Sequence, residues 1–401
     1  MAGITGQGTT FNLPNYVGEL FALTPTDTPF LSAIGGLTGG RPVDGSTLFE
    51  WQTYDLRDAD ESRQRVEGAN APTAEERVRG TAHNVVEIHQ ESVEVTYTKA
   101  AATNQHLSNG SNNPNSVATN AANPVGDEMN WQVARALEQI GRDVERTFIV
   151  GQFQNPSSNS TPRKTRGIMQ ATVTNVADAA VLKGTATTAT DGTFTLSAHG
   201  LVAGDEVVLK AMAGGVNLFV DTLYYVITPA TNTFKLARRP GGAAITFGST
   251  GGADVYTATQ LTEAHVLDLL QLVWDNGGIR TQETATLMTN STLKRRLTDI
   301  FVTGKNYQEV SRNVGGVSLQ TFETDFGVLN IMLNRYMPSG ALQVVSLEQC
   351  APRFLAIPGK GFLFEEPLAK TGAADKTQIY GEIGLEYGNE LVHGKILGVS
   401  R

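Results

Sequence analysis

Apolar residues recur most regularly between positions 127 and 150. Val133, Leu137, Ile140, Val144 and Phe148 follow at steps of 4, 3, 4 and 4, which is one face of an α-helix. Asn123-Pro124 supplies a start, with Pro124 at the first helical position and Asp127 and Glu128 in the early turns. Glu138 and Arg142 form an i,i+4 pair on the other side. At 1.5 Å per residue, a helix over Asp127–Val150 spans roughly 36 Å.

Elsewhere the pattern is that of strands. Leu48–Tyr54 reads as one strand and Asn84–Tyr97 as another, the latter carrying Val85, Val86, Ile88, Val93, Val95 and Tyr97. The sequence between them, Asp55–Thr81, is polar with almost no apolar anchor, so the pair predicts a β-arm that projects from its domain and needs a partner surface. Residues 1–45 carry only Glu19, Asp27, Arg41 and Asp44 as charges. One short helix fits Val17–Leu23, stopped by Pro25, and the remainder reads as an extended arm that lies on something else. Residues 104–123, rich in Asn, Ser, Ala and Gly, read as a linker.

Residues 171–258 hold 11 charged residues and many Thr, Ala and Gly. Short β runs alternate with turns: Thr193–Leu196, Glu206–Leu209, Leu223–Ile227, Thr233–Leu236 and Ala244–Phe247, with Thr-Phe-x-Leu occurring at both 193 and 233. This predicts a small sandwich or barrel inserted into a larger domain, because helix and strand patterning resumes directly afterwards. Leu261–Asp275 reads as a helix with Val266, Leu269, Leu270 and Val273 apolar and Gly277-Gly278 closing it. Thr284–Met288 reads as a strand, and Thr292–Phe301 as a helix exposing Lys294, Arg295 and Arg296. Strands dominate from Val317 and end with Ile379–Val399. The body is α+β.

Composition narrows the function. The chain has 401 residues, 31 Lys+Arg against 40 Asp+Glu, and a formal charge of -9, the opposite of a basic nucleic-acid-binding domain. The 42 glycines suit a turn-rich β protein. Cys350 is the one cysteine, which excludes an intrachain disulfide and a cysteine-based zinc site. No signal-like leader and no apolar run long enough for a membrane helix occur, so the chain reads as a soluble protein of a reducing compartment.

Candidate chemistry is thin. No phosphate-binding glycine loop, nucleophile elbow or zinc-protease motif occurs. His83, Glu87, His89 and Glu91 are the nearest thing to a metal set, and read better as the wet face of the projecting arm. Asp58/Asp60, Glu75/Glu76 and Glu365/Glu366 sit in surface-like charged stretches and read as solvated. Cys350 reads as an inert thiol, Lys294-Arg295-Arg296 as a solvated helix edge, and the sequons at Asn159 and Asn290 carry no meaning without a secretory signal. The reading is no enzyme, no cofactor and no metal.

A charged β-arm, an N-terminal arm, a long helix and a mixed body together describe a subunit built to grip neighbours. At this level the chain resembles the major capsid proteins of tailed bacteriophages, those of the Hong Kong 97-type fold. Four segments carry the likeness: Leu23-Thr-Pro-Thr-Asp-Thr-Pro-Phe-Leu-Ser-Ala-Ile34, Asp143-Val-Glu-Arg-Thr-Phe-Ile-Val-Gly151, Phe322-Glu-Thr-Asp-Phe-Gly-Val-Leu-Asn-Ile331, and Pro367-Leu-Ala-Lys-Thr-Gly372 running into Glu382-Ile-Gly-Leu-Glu386 and Asn389.

The resemblance implies an N-arm at 1–45, an extended loop at 46–100, and a peripheral domain at 101–170 holding a spine helix at 123–152. It further implies an inserted all-β domain at 171–258, an axial domain at 259–345, and a return through axial and peripheral strands at 346–401. Its implied function is a structural subunit that assembles as hexamers and pentamers into an icosahedral head enclosing double-stranded DNA. Separate scaffolding, portal and cement proteins would be partners, no membrane would be involved, and assembly would take place in the bacterial cytoplasm before the protein resides in the virion. Loop residues Arg57, Asp58, Arg63, Arg65, Glu67, Arg77 and Arg79, and arm residues Phe21, Phe30 and Leu31, would touch neighbouring subunits. Some relatives weld their shells through a loop lysine; here no lysine precedes Lys99, so a non-covalent shell is expected. The alternatives are an encapsulin-type compartment shell and an adhesive or carbohydrate-binding β protein using the aromatic residues of 171–258.

Overall fold

The computed structural model describes residues 24, 26–43, 45–56, 59–99, 128–214, 216, 218–280, 285–303, 321–370 and 372–401. The expected helix at 17–23, the linker at 104–123 and the Pro124 helix start lie outside them. The described chain falls into two compact units, one within Ile88–Asp143 and Ile357–Glu382, the other made of Thr28–Glu87, Val144–Ala356 and Ile383–Arg401.

The second unit opens with a short helix, α1 (Pro29–Ala33), started by Pro29. Strand β1 (Arg41–Val43) follows, and then a hairpin of β2 (Leu48–Tyr54) and β3 (Arg79–Val85) in unbroken register from Leu48↔Val85 to Tyr54↔Arg79. The single strand expected over 84–97 is in fact two. It breaks at Val86, and β4 (Glu87–Thr96) pairs elsewhere. Asn84 supplies the reason: its fully buried side-chain amide donates to Leu385 O at 2.7 Å and accepts from Arg166 N at 2.8 Å, pinning the chain where it leaves the hairpin.

Within the first unit, β4 turns alternate residues outward. His89 and Glu91 share the inward side with buried Val93 and Val95, while Ile88, Gln90, Ser92 and Glu94 are exposed. The expected wet face is therefore the inner one. Glu87, at the other unit's end of the strand, is buried and accepts from Thr165 N at 2.9 Å. Helix α2 (Glu128–Val150) is the long helix, and Val133, Ile140, Val144 and Phe148 are buried on its predicted face. Its polar side carries Arg135–Glu138 at 2.9 Å and a 3.0 Å bond from Arg142 to Gln139.

After helix α3 (Ile168–Ala171) and strand β5 (Val176–Asp178) comes a closed six-stranded barrel. Its strands are β6 (Val181–Thr188), β7 (Thr193–Thr195), β8 (Glu206–Gly214), β9 (Tyr224–Ile227), β10 (Thr233–Ala237) and β11 (Gly251–Thr257), in spatial order 10-7-6-11-8-9. The two Thr-Phe-x-Leu segments lie side by side, with Phe194 opposite Phe234 and their rings stacked at 5.2 Å. The aromatic residues Phe194, Tyr224, Phe234 and Phe247 fill the barrel core. Strands β6 and β11 were not expected: Ala186 faces Ala253 across the ladder, leaving room for those rings, and Val255 is the one large apolar residue β11 adds to the core. Ala244–Phe247, expected as a strand, is not one: Ala244 bridges Ala237, and Ile245 N and Phe247 N donate singly to Leu236 O and Thr190 O, each at 2.9 Å.

Strand β12 (Thr259–Gln260) leads into α4 (Glu263–Asp275), capped by Thr262 and closed by Gly277 at φ +83°, whose successor Gly278 donates to Val273 O at 2.8 Å. Next come β13 (Ala285–Thr289), α5 (Ser291–Thr298), β14 (Thr321–Thr324), β15 (Gly327–Leu333) and β16 (Ala341–Ser346). Asn290, the sequon residue, is the N-cap of α5. Of its three cations only Arg295 is exposed; Lys294 and Arg296 are half-buried, and Arg296 donates to Leu261 O at 2.8 Å.

The last strands are β17 (Ala351–Leu355), β18 (Leu363–Pro367), β19 (Ala374–Glu386), β20 (Gly394–Leu397) and β21 (Val399–Ser400). A six-stranded sheet runs 14-15-13-16-20-5, and one face of it buries Leu287, Leu329, Leu342, Val344 and Ile396 against Val266, Leu269, Leu270 and Val273 of α4 and Leu293 and Leu297 of α5. Strand β19 passes through both units: its first half pairs with β18 in the first, its last residues with β17 in the second. Cys350 is buried, and burial pushes its thiol far up, as an inert cysteine requires.

His393 is fully buried, accepting from Ser346 N at 3.2 Å and meeting Tyr387 O at 2.8 Å through the other ring nitrogen, which fixes a neutral tautomer. Burial lowers it from 6.5 to about 4. The unfolded chain therefore takes up this proton first, and stability is complete above pH 6.5 and falls as pH drops towards 4. The loss over that window is about 3 kcal/mol. Urea titrations at pH 7 and pH 4 check it: His393→Gln is expected to remove about that much of the wild-type difference.

Candidate assembly site

Two arms were expected to make contacts between subunits, and the structure shows how each is rooted. The root of the N-terminal arm is a buried carboxylate. Glu145 lies in the last turns of α2 with no exposed surface, and accepts from Phe30 N at 2.9 Å and Leu31 N at 2.6 Å. The Asn334 side-chain amide, just past β15, donates to the same carboxylate. The acceptor thus serves amides in the first turn of α1, which no intrahelical carbonyl can reach. Three of the segments that carry the family likeness converge here: Phe30 and Leu31 from the first, Glu145 from the second, and Asn334 three residues beyond the third.

This geometry corrects one expectation. Phe30 and Leu31 are 0% and 2% exposed within this single chain. Their side chains are core, and no surface of theirs remains for a neighbour. Phe21 lies outside the described residues. The sequence carried little signal for Glu145, which stands two turns after Glu138 on the side of the helix read as polar.

The hairpin is rooted by Asn84 and Glu87, and additionally by Trp51, whose indole donates to Gly388 O at 2.7 Å and meets Tyr387 edge-on at 4.9 Å. Beyond the root the arm is solvated. Of the loop charges, Arg63 pairs with Glu75 and, at 3.5 Å, with Asp60; Arg77 reaches Glu75 at 3.3 Å; and Arg79 donates to Gln52 at 3.1 Å. These contacts hold the loop to itself. They lower the Glu75 carboxyl group, first through the Arg63 hydrogen bond, and that of Asp60, first through Ser62. Arg65 and Glu67 project into solvent, and Arg57 and Asp58 lie outside the described residues.

Large apolar side chains share the arm with these charges. Tyr54, Leu56, Val66 and Val78 are 64–80% exposed. On a ribbon of only two strands, the chain's own fold leaves these side chains in water. Among the described residues, no group of three or more His, Cys, Asp or Glu is arranged to hold a metal ion, and no helix is long and apolar enough to cross a membrane. His83 meets Phe153 edge-on at 5.5 Å, separated from Glu87 by the break at Val86.

A long helix, a hairpin arm rooted by buried polar groups and a sheet backed by two helices make up the capsid architecture of the Hong Kong 97 type. The capsid of cyanophage A-1(L) aligns over 99% of this chain and 100% of its own at 12% identity, with a TM-score of 0.53. The capsid of a native GTA particle aligns over 98% and 97% at 10% identity and 0.50. An encapsulin of Synechococcus elongatus aligns over 97% and 92% at 9% identity, with a TM-score of 0.46. No curated protein sequence matches. The family described as SU10 major capsid protein matches residues 3–400, and the chain belongs to it. It is a bacteriophage major capsid protein, a structural component of the head shell and not a member of an enzyme family.

The clamp has a measurable worth. Each buried donor left without an acceptor costs about 1–3 kcal/mol, so Glu145→Ala is expected to lose on the order of 4 kcal/mol and Glu145→Gln, which keeps one acceptor, clearly less. Chemical denaturation measures the loss, and faster amide exchange at Phe30 and Leu31 localises it.

Proposed function

We propose that copies of this chain form hexamers and pentamers that close an icosahedral shell around double-stranded DNA, held together without covalent cross-links. The observation that carries the reading is the hairpin arm, which keeps Tyr54, Leu56, Val66 and Val78 in water at the end of a root bonded into the core. Such an arm stabilises nothing in its own subunit, and a neighbouring copy is the surface it fits.

In this reading residues 46–100 are the extended loop and 123–152 the spine helix. Residues 259–345 supply the axial domain, and 171–258 an insertion carried by the barrel. Arg65 and Glu67, together with Arg57 and Asp58, are the loop charges available to a neighbour. Arg63, Arg77 and Arg79 act mainly by shaping the loop that presents Val66 and Val78. Scaffolding, portal and cement proteins would be separate chains. The acidic net charge suits a container that must release its duplex. The absence of any lysine before Lys99 leaves residues 46–98 without an amine for welding.

Negative-stain electron microscopy with sedimentation velocity, at low and high salt, tests this on the purified chain alone and with a co-expressed scaffold. Closed shells, or rings of five and six that loosen as salt screens the arm's ion pairs, are the expected products. Denaturing gels of those particles should show a single 43 kDa band and no ladder. Val66→Asp with Val78→Asp should abolish assembly while leaving the subunit folded. A monomer under every condition would overturn the reading.

A further inference from the structure

The barrel does not hang free of the sheet beside it. Its two connections run side by side, with Val181 paired to Thr257 and the Thr259 hydroxyl donating to Ala179 O at 2.6 Å. A strap at 218–223 makes a further joint. Phe219 lies under the Arg146 guanidinium of α2 at 4.3 Å, Leu223 N donates to Ser339 Oγ at 2.8 Å, and Gly340 N donates to Asp221 O at 3.0 Å. Val208 of β8, fully buried but outside the barrel's own core, closes on Gly340, where an added Cβ would stand 2.7 Å from Asp221 O and 3.0 Å from Val208 Cγ1.

A carboxylate is buried in this joint without the partners it needs. Asp221 is 9% exposed and holds a left-handed backbone at φ +55°. Its Oδ1 accepts no hydrogen bond, and the nearest ammonium, Lys210 of β8, is 4.0 Å away. That ammonium is already engaged by Asp178 of β5 and lies over the Tyr256 ring at 4.7 Å. Lys395 of β20, the other cation acting on Asp221, spends its Nζ on Met169 O at 2.7 Å and also feels Glu390. Two carboxylates and two ammoniums thus meet where barrel and sheet join, and Asp221 is the one left short of hydrogen bonds. A buried charge without full compensation costs more than its ion pairs return.

We propose that Asp221 makes the barrel's seat proton-responsive: the ionised carboxylate strains the joint, and protonation tightens the barrel onto the sheet. Burial pushes the Asp221 carboxyl group above its ordinary range despite the opposing pull of Lys210 and Lys395, with Asp178 adding to the rise. In an opened joint water would return it to the ordinary range. The seated form therefore holds the proton more tightly, and falling pH favours seating. The same burial lowers Lys395, so both charges bear the cost of the joint. The inference concerns the single subunit and stands apart from how copies assemble.

Hydrogen exchange on the full, unassembled chain tests it. The amides of Leu223 and Gly340 report the joint, and ladder amides of β8 and β11 report whether the barrel itself is folded. Asp221→Asn keeps the size and tolerates the left-handed backbone. It is expected to slow joint exchange at pH 7 by roughly threefold or more, with barrel amides unchanged. After correction for intrinsic rates, joint exchange in the wild type should slow as pH falls towards the ordinary carboxylate range, and Asp221→Asn should lack that slowing. Gly340→Ala, which wedges the seat, should speed joint exchange at every pH. Faster joint exchange in Asp221→Asn would mean the carboxylate holds the seat and would overturn the proposal. An unchanged rate combined with a flat wild-type pH profile would do the same. If the variant fails to fold, the wild-type profile decides alone.

Discussion

An ionised carboxylate in a dry interior is costly unless donors surround it, and at Glu145 the second unit supplies them. Two donors are backbone amides at the start of α1, and a third comes from the turn after β15. Because the amides belong to a helix start, they have no alternative partner in the chain. The carboxylate and the short helix each satisfy what the other lacks, and Phe30 and Leu31 are drawn into the core as a result. An apolar side chain at 145 would pack well and leave the segment from Thr28 to Ala33 with no reason to lie where it does.

The hairpin repeats this logic with a neutral group. Asn84 uses its amide on the backbone of two distant segments, and the chain bends there instead of running on as one strand. In both cases a polar side chain buried at the root fixes the segment it holds, and the hairpin beyond its root leaves Tyr54, Leu56, Val66 and Val78 in water. Packing alone would be a poorer anchor, since apolar contacts tolerate sliding and hydrogen bonds to particular backbone atoms do not.

How much of this could be read beforehand depended on what each residue had to do. Helix α2 was legible because Val133, Ile140, Val144 and Phe148 carry the burial at the positions periodicity marks. The arm was legible for the opposite reason, the lack of any apolar anchor between Asp55 and Val78 sufficient to fold it. Strands β6 and β11 were hidden because Ala186 and Ala253 turn inward where a strand pattern leads one to expect Val or Ile, Val255 stands alone as a large inward residue, and the exposed pair Val181-Leu182 points the wrong way. Asn84, Glu87 and Glu145 were missed because burial of a polar residue depends on partners some 80 to 300 positions away. Reading His83, Glu87, His89 and Glu91 as one wet face went wrong for a related reason: it assumed one straight strand, and the bend at Asn84–Val86 divides it.

The barrel enters and leaves through neighbouring strands, Val181 paired with Thr257 and Ala179 bonded to Thr259. For the remainder of its unit, everything between those residues is then geometrically equivalent to a turn. Closing a loop whose ends are already adjacent costs little more for many residues than for few. The body's topology is thus indifferent to what occupies that position. A barrel lengthened or exchanged at this doorway would leave the body's strand order unchanged, provided its replacement still meets Ser339 and Gly340 at the seat.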